Sequence, residues 1–373
     1  MHEARIASWR TNISILMRKR NIAASVYFIL LLFTIALLAP VLANNKPLYL
    51  KYHNHIFFPA LSGDEYADII SESGGNTIRI YFSEFKYSST PGVKVVMPPV
   101  PFAPFESDYY NADYKSPGDE QVSVINGKEK TLSGFEKHLL GTGKRGEDLL
   151  SGLIHGTKIS LTVGIVSMII AGLIGIFMGS FAGYFGDEQL KLSRGKVFLI
   201  IAGLIPAWFY GFQLRTYFIA DALQQSPFSF LFQLMLSVLI FFLVIAIFYF
   251  AGNMLNFLSY FKKNISFPVD SIISRIIEIL ISLPSLILII SIAAISRPSL
   301  VNLVLIIGLT SWTDIARLTR AEILRQKNLE YIQSAKSLGF NELRILFRHA
   351  LPNALAPAMV AIAFGIASAI LAE

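Results

Sequence analysis

Long apolar runs alternate with short polar stretches along most of this chain. The runs cover residues 22–43, 159–184, 197–220, 228–255, 272–295 and 300–318, and a last one starts near Pro352. About 20 apolar residues in a helix cross a bilayer, so each run predicts a membrane span, about seven in all. Residues 44–151 break the pattern, being polar, aromatic and proline-rich. Within them 77–82 alternates apolar and polar like a short strand, and Pro98, Pro99, Pro101 and Pro104 mark extended polyproline-type chain. The predicted architecture is an all-α polytopic membrane protein with a small β-rich external insert.

One polar stretch is itself patterned. Residues 330–338 have helix-forming composition and stop at Gly339, which can take the left-handed conformation that ends a helix. Asn341 can cap a second helix. That helix is expected to place Leu343, Leu346, Phe347 and Ala350 on one apolar side and Arg344 and Arg348 elsewhere, with Pro352 at the entry to the next run. The result is a helical hairpin shaped to dock, or alternatively an amphipathic loop lying on the membrane surface.

Composition agrees, with 54% hydrophobic residues and a mean hydropathy of +0.55. The net charge of +7 does not point to nucleic acid, because the basic residues follow membrane side and do not form one surface stripe. Arg5, Arg10, Arg18, Lys19 and Arg20 precede the first run and predict a cytoplasmic N-terminus. Counting turns from there puts Lys191, Arg194, Lys196, Lys262, Lys263 and the stretch 320–348 inside. The short outer connections, 221–227 and Arg297, carry little charge. A cleavable signal ending at Val41-Leu42-Ala43 is the alternative for the first run, which is longer than the usual signal core of about 7 to 15 residues. The absence of cysteine excludes disulfides, thiolate metal sites and a Cys nucleophile.

Packing and gating signals lie inside the runs. Ala171, Gly175, Gly179 and Gly183 recur every four residues and line one helix face with small side chains, as do Ala361, Gly365 and Ala369. Arg275 and Glu278 are three residues apart and can neutralise each other in an apolar helix. Pro284 removes a backbone hydrogen bond and predicts a kink.

Several of these residues resemble the permease subunits of ATP-binding-cassette importers of the dipeptide and oligopeptide group. That family's cytoplasmic loop carries Glu-Ala-Ala, then Gly, then Leu-Pro, where this chain has Gln333, Ser334, Ala335, Gly339, Leu351 and Pro352, keeping the spacing and one of the three name-giving residues. The flanking LFRHALPN, including Phe347, Arg348 and His349, is close to the subfamily's wording, as are Thr157-Lys158-Ile159-Ser160-Leu161, Gly183-Tyr184-Phe185-Gly186, and Arg275, Glu278, Leu283, Pro284. The Pro-Pro-Val-Pro-Phe-Ala-Pro stretch is similar to the outer insert of oligopeptide and microcin-type permeases. Upstream of the second span the family shows Gly-Thr-Asp and Arg-Asp, whereas this chain has Gly141-Thr142-Gly143 and Gly146-Glu147-Asp148.

The resemblance implies a type I importer permease fold, with 320–351 as the loop coupling to a cytoplasmic ATPase and Glu330, Gln333, Ser334, Ala335, Gly339, Leu343, Phe347, Arg348, His349, Leu351 and Pro352 as its residues. Gly175, Gly179, Gly183, Arg275, Glu278 and Pro284 would serve packing or gating. The organisation it suggests is a tail over 1–21, a first helix over 22–43, the insert over 44–151, a second span over 152–186, two extra spans within 187–266, and a permease core over 267–373. Glu373 matches a point inside the family's last conserved block, so the fold is expected to be truncated, its last core helix missing or encoded separately. The insert would contact a substrate-binding protein, cover the pore mouth, or act as a spacer.

Nothing in the chain predicts an enzyme. Gly141-Thr142-Gly143-Lys144 lacks the earlier glycine of a phosphate-binding loop, and Arg145 stands where Ser or Thr would hold magnesium. No Gly-x-Ser-x-Gly or His-Glu-x-x-His spacing occurs. ATP and magnesium are therefore expected in partner subunits, with no cofactor or metal on this chain. The implied partners are a second permease subunit, two cytoplasmic ATPase subunits, an extracytoplasmic peptide-binding protein and membrane lipid. A permease for nickel or another small ligand, and a non-transporting sensor or assembly protein, stay open as alternatives.

Overall fold

The computed structural model describes residues 19–52, 55–70, 77–83, 93–125, 128–134, 137–225, 227–295 and 298–373. The basic positions Arg5, Arg10 and Arg18 and the outer Arg297 fall outside the described residues. Two compact units divide the chain, 1–162 and 163–373.

The first unit begins with α1 (Arg20–Leu42), 23 residues and about 35 Å long, enough to cross a hydrocarbon core of about 30 Å. Among the described residues seven short strands follow: β1 (Tyr49–Tyr52), β2 (His55–Phe57), β3 (Tyr66–Ile70), β4 (Thr77–Tyr81), β5 (Lys94–Val96), β6 (Val122–Ile125) and β7 (Lys128–Thr131). β1 pairs antiparallel with β2 and β5, and β3–β4 and β6–β7 are separate hairpins. The alternating stretch around Ile78 and Ile80 forms β4, with Ile78 opposite Ile69. The proline stretch is extended and clipped to the end of α1, where Val100 N donates to Leu42 O (3.0 Å) and Asn44 N to Val100 O (3.1 Å).

α2 (Leu149–Phe185) runs 37 residues and starts well before its apolar run. Asp148 caps it, its carboxylate accepting from Ser151 N at 2.6 Å. Ser151, His155 and Lys158 interrupt the apolar pattern without interrupting the helix, so periodicity alone placed the start too late.

In the second unit β8 (Lys191–Ser193) leads into α3 (Arg194–Trp208), a π-turn over Phe209–Gln213, and α4 (Thr216–Gln225). α5 (Pro227–Ala251) returns antiparallel to α3, with Gly203 against Phe248 and Gly211 against Phe241. β9 (Asn264–Ser266) then pairs antiparallel with β8. The inserted hairpin is thus closed at its neck, and the chain re-enters beside the point where it left.

α6 (Val269–Ser282) and α7 (Ser285–Ile295) meet at 80°. Leu283 is extended (φ −96°, ψ 129°), as the steric demand of the following proline favours, so the expected kink is a full break. α8 (Leu300–Thr310) opens on a Ser299 cap, and α9 (Trp312–Lys327) continues it after Ser311. α10 (Glu330–Ser337), α11 (Glu342–Ile345) and α12 (Leu351–Ala372) complete the unit. Among the described residues six helices are long and apolar enough to cross a membrane, or seven if α6–α7 counts as one span.

The small-residue stripe of α2 packs on α9. A Cβ built on Gly175, Gly179 or Gly183 would lie 2.7, 2.3 or 2.7 Å from the carbonyl oxygen of Trp312, Ala316 or Arg320. The stripe of α12 also meets α2, since a Cβ on Gly365 would fall 2.2 Å from Met168 Cε. The α2 and α9 backbones are close enough at Gly175, Gly179 and Gly183 to leave no room for a methyl group, which is why glycine is used there.

Candidate functional site: the helical hairpin of residues 330–353

Gly339 ends α10 with φ +75°, the left-handed conformation glycine adopts at little cost. Asn341 then caps α11, its side chain accepting from Leu343 N at 3.0 Å. A π-turn over Leu346–Ala350 joins α11 to α12, which opens with Pro352 in its first turn, where a missing N–H costs nothing.

The π-turn rotates the apolar face away from the expected one. Leu346 and Ala350 are buried as expected, but Leu343 and Phe347 are 47% and 45% exposed, and Ile345 takes the interior place. A π-turn accommodates more residues per turn than the 3.6-residue count assumes, so the register slips there. The buried set is Ile332 and Ala335 from α10, Ile345, Leu346 and Ala350 from the second arm, and Ala354 from α12. It packs on Ile323 of α9 and on Tyr184 and Phe185 at the end of α2, with Leu351 at its edge.

Polar contacts fix the same joint. The Tyr184 hydroxyl donates to Glu342 Oε2, Lys336 Nζ lies 3.6 Å from that oxygen, and the Lys336 ammonium sits 5.3 Å from the Tyr184 ring centroid. Tyr331 Oη donates to Gln326 Oε1 (2.7 Å), and Gln333 Nε2 to Lys327 O (3.1 Å). At the other arm the His349 ring stacks on Phe340 at 6.1 Å. Just beyond α2, Asp187 accepts from Ser271 N (2.9 Å) and Ser271 Oγ (2.5 Å), which holds its carboxyl below the usual range. Arg320 of α9 forks onto Asp270 at the start of α6.

The structure thus divides the expected coupling residues by role. Ala335 is interior, Gly339 forms the turn, and Leu351 and Pro352 start α12. Glu330, Gln333 and Ser334 line a shallow hollow together with Asn328, Ser337 and Leu338. Leu343, Phe347 and Arg348 face outward, and Leu343 borders a second hollow with Phe181, Phe185 and Glu342. Arg275 and Glu278 pair at 2.8 Å, both largely exposed. Sequence reasoning missed Ile332, Ile345, the Tyr184–Glu342 bond and the Arg320–Asp270 pair. The first two are masked by the short helices and the π-turn, and the other two join residues 158 and 50 positions apart.

Residues 256–373 match the family model described as binding-protein-dependent transport system inner membrane component. The chain is 31% identical over 238 residues to the dipeptide transport system permease protein DppC of Haemophilus influenzae, covering 64% of this chain and 54% of that protein. The inner membrane ABC transporter permease protein YejE of Escherichia coli is 24% identical over 355 residues, 93% of this chain and 73% of that protein. The peptidoglycan transport system permease protein YejE of Agrobacterium fabrum is 23% identical over 360 residues, 91% and 70% of the two chains. The chain spans about half the length of the dipeptide permease it matches.

Proposed function

We propose that this chain, similar in sequence to peptide permeases, is a membrane-embedded subunit of an ATP-binding-cassette importer that moves short peptides inward, with the hairpin of α10 and α11 as the element an ATPase engages. The observation that carries the reading is mechanical. One face of the hairpin is welded by a buried core to the ends of α2 and α9, while Leu338, Leu343 and Phe347 are left exposed on the outside. A force applied to the outer face therefore reaches two membrane helices through packed side chains.

In this reading the chain binds no nucleotide. ATP and magnesium belong to two cytoplasmic ATPase subunits, a second permease subunit completes the pore, and an extracytoplasmic binding protein delivers the peptide. The basic loops support a cytoplasmic N-terminus and hairpin in a bacterial inner membrane. The packing and gating roles of Gly175, Gly179, Gly183, Arg275, Glu278 and Pro284 belong to the same proposal.

Co-expression with the candidate ATPase subunits and purification in detergent tests it. The expected result is a stable complex, lost when Leu343 and Phe347 are both replaced by Asp, because charge then replaces apolar surface at the contact. Absence of any ATPase from the purified chain, or attachment indifferent to that double substitution, overturns the assignment.

A further inference from the structure

Two lines of contact leave the core of the hairpin and end on the same turn of α6. The first runs through α9. Ile323 belongs to the hairpin core, and Arg320, about one turn earlier, forks onto the Asp270 carboxylate, Nε donating to Oδ1 and Nη2 to Oδ2, the latter at 2.6 Å. The second runs through the end of α2. Tyr184 and Phe185 belong to the same core, and the two residues after them hold α6: Gly186 O accepts from Asp270 N (3.4 Å), and Asp187 accepts from Ser271 N (2.9 Å) and from Ser271 Oγ. The two lines also meet each other, since the Arg320 carbonyl lies against Gly183 of α2.

Apolar packing holds α6 only along a narrow line. Of its 14 residues Ile273 and Ile277 are buried, whereas Ile272, Ile276, Ile279 and Ile281 are between 42% and 64% exposed. The polar clamp at its first turn is of a different kind from the other ion pairs nearby. Arg275–Glu278, Asp314–Arg317 and Glu322–Arg325 each lie along a single helix, with their arginines 80%, 63% and 67% exposed, whereas Arg320 and Asp270 join two helices and are 33% and 18% exposed. Exposed pairs three residues apart contribute little. Pulling a half-buried pair apart strands a charge on each side, so this one resists separation.

The far end of α6 stops at Leu283 and Pro284, where the chain breaks by 80° into α7. Leu280, Ile281, Leu283 and Pro284 form part of the wall of a cavity of about 670 Å³, closed on its other sides by the α8–α9 junction and α12. A helix of 14 residues is a stiff rod about 21 Å long, so a displacement of its first turn is carried to that wall. The break lets α6 move without dragging α7 with it, as a hinge at an element end does.

We propose that the Arg320–Asp270 fork is the positioning contact that carries movement of the hairpin into α6, and through α6 into the wall of the cavity. The inference rests on the importer reading above and extends the driven part of the bundle from α2 and α9 to the broken helix pair. Arg320 and Asp270 touch no transported molecule in this account; they act through the helix they hold.

The test uses the full transporter complex in membrane vesicles, with tri-alanine uptake and ATP hydrolysis measured together. Asp270→Asn keeps the shape of the side chain and removes its charge. The expected result is assembly and ATP hydrolysis within about twofold of the parent, with uptake per ATP lowered at least about tenfold, the weight of one charge-assisted fork. The chain contains no cysteine, so Asp270→Cys combined with Arg320→Cys introduces two thiols at known places. That double variant should be uncoupled in the same way until a short bifunctional thiol reagent bridges the two positions and restores most of the uptake per ATP. A monofunctional reagent of the same chemistry should restore none, and the parent given either reagent is the control. Unchanged uptake per ATP in Asp270→Asn overturns the proposal. Loss of assembly or of ATP hydrolysis in that variant overturns it too, since the pair then merely holds the fold, as does a bridge that restores nothing. Failure of the parent complex to assemble or to take up peptide strikes the underlying reading instead, and is scored before any variant.

Discussion

Replacing Gly179 by alanine adds one methyl group to a 37-residue helix, and the structure says where that group goes. The new Cβ would lie 2.3 Å from the Ala316 carbonyl oxygen and 2.9 Å from Thr319 Cβ, both on buried residues of α9. Comfortable contact is about 3.5 Å, so α2 and α9 must part by about 1 Å or bend. They cannot part at one point alone, because Gly175 and Gly183 make the same approach one turn to either side. Overpacking of this kind costs about 1–3 kcal/mol. The matched control is Gly156→Ala on the same helix, where a Cβ meets nothing within 4 Å. There the substitution should be neutral or stabilising by up to about 1 kcal/mol, since alanine favours the helix. Thermal unfolding of the two full-length variants in one detergent, followed by tryptophan fluorescence, reads the difference. Trp312 on α9 lies one turn from the affected contact, against Gly175. Equal melting temperatures for Gly179→Ala and Gly156→Ala would refute the close-packing argument and the geometry it rests on.

Other consequences are smaller or more local. Gly339 has a positive φ with open space around its missing side chain, so its replacement is penalised by backbone strain and not by bulk. Gly339→Ala should cost about 1–2 kcal/mol and, under the proposed function, lower peptide uptake per ATP hydrolysed, whereas Gly339→Asn should do much less of both. Equal effects for the two would show that the turn conformation is immaterial. Tyr184→Phe keeps the ring in the joint but removes its hydrogen bond to Glu342, and is expected to destabilise by about 1–3 kcal/mol in thermal unfolding. In the first unit, His138 is buried with Nδ1 2.9 Å from Asp148 and Nε2 3.4 Å from Asp108, its ring stacked on Phe102 and its backbone bonded to the Gln121 side chain. Burial works against the charged imidazole, but the two carboxylates outweigh it and raise its pKa above the usual 6.5, while the Asp108 carboxyl, against its own burial, is lowered. The stabilisation from His138 is therefore complete below about pH 6.5 and fades as pH rises through the raised value. That from Asp108 is present above about pH 4 and fades as pH falls through the lowered value. Proteolysis of the 44–151 segment in the full chain should accelerate from pH 6 to pH 9, and His138→Gln should abolish that difference; an unchanged pH dependence would remove the histidine from the account.

The sequence by itself determined which segments are long and apolar enough to cross a membrane, apart from 272–295, which the structure divides into two helices meeting at 80°, because a run of about 20 apolar residues is a local requirement that each helix meets alone. It also determined the hairpin's turn at Gly339 and its cap at Asn341, since positive φ and capping are decided within a few residues. Glycine spacing announced a close helix contact, and Pro284 announced an interruption, though neither identified the neighbour or the size of the bend. Tertiary structure alone decided that α2 packs on α9, that α6 and α7 diverge by 80°, and that the insertion closes at a two-stranded neck. It also decided that Ile345 is interior while Leu343 and Phe347 are not. A π-turn shifts the face without any residue marking it, and contacts such as Tyr184–Glu342 depend on where remote segments come to rest, which no local pattern records.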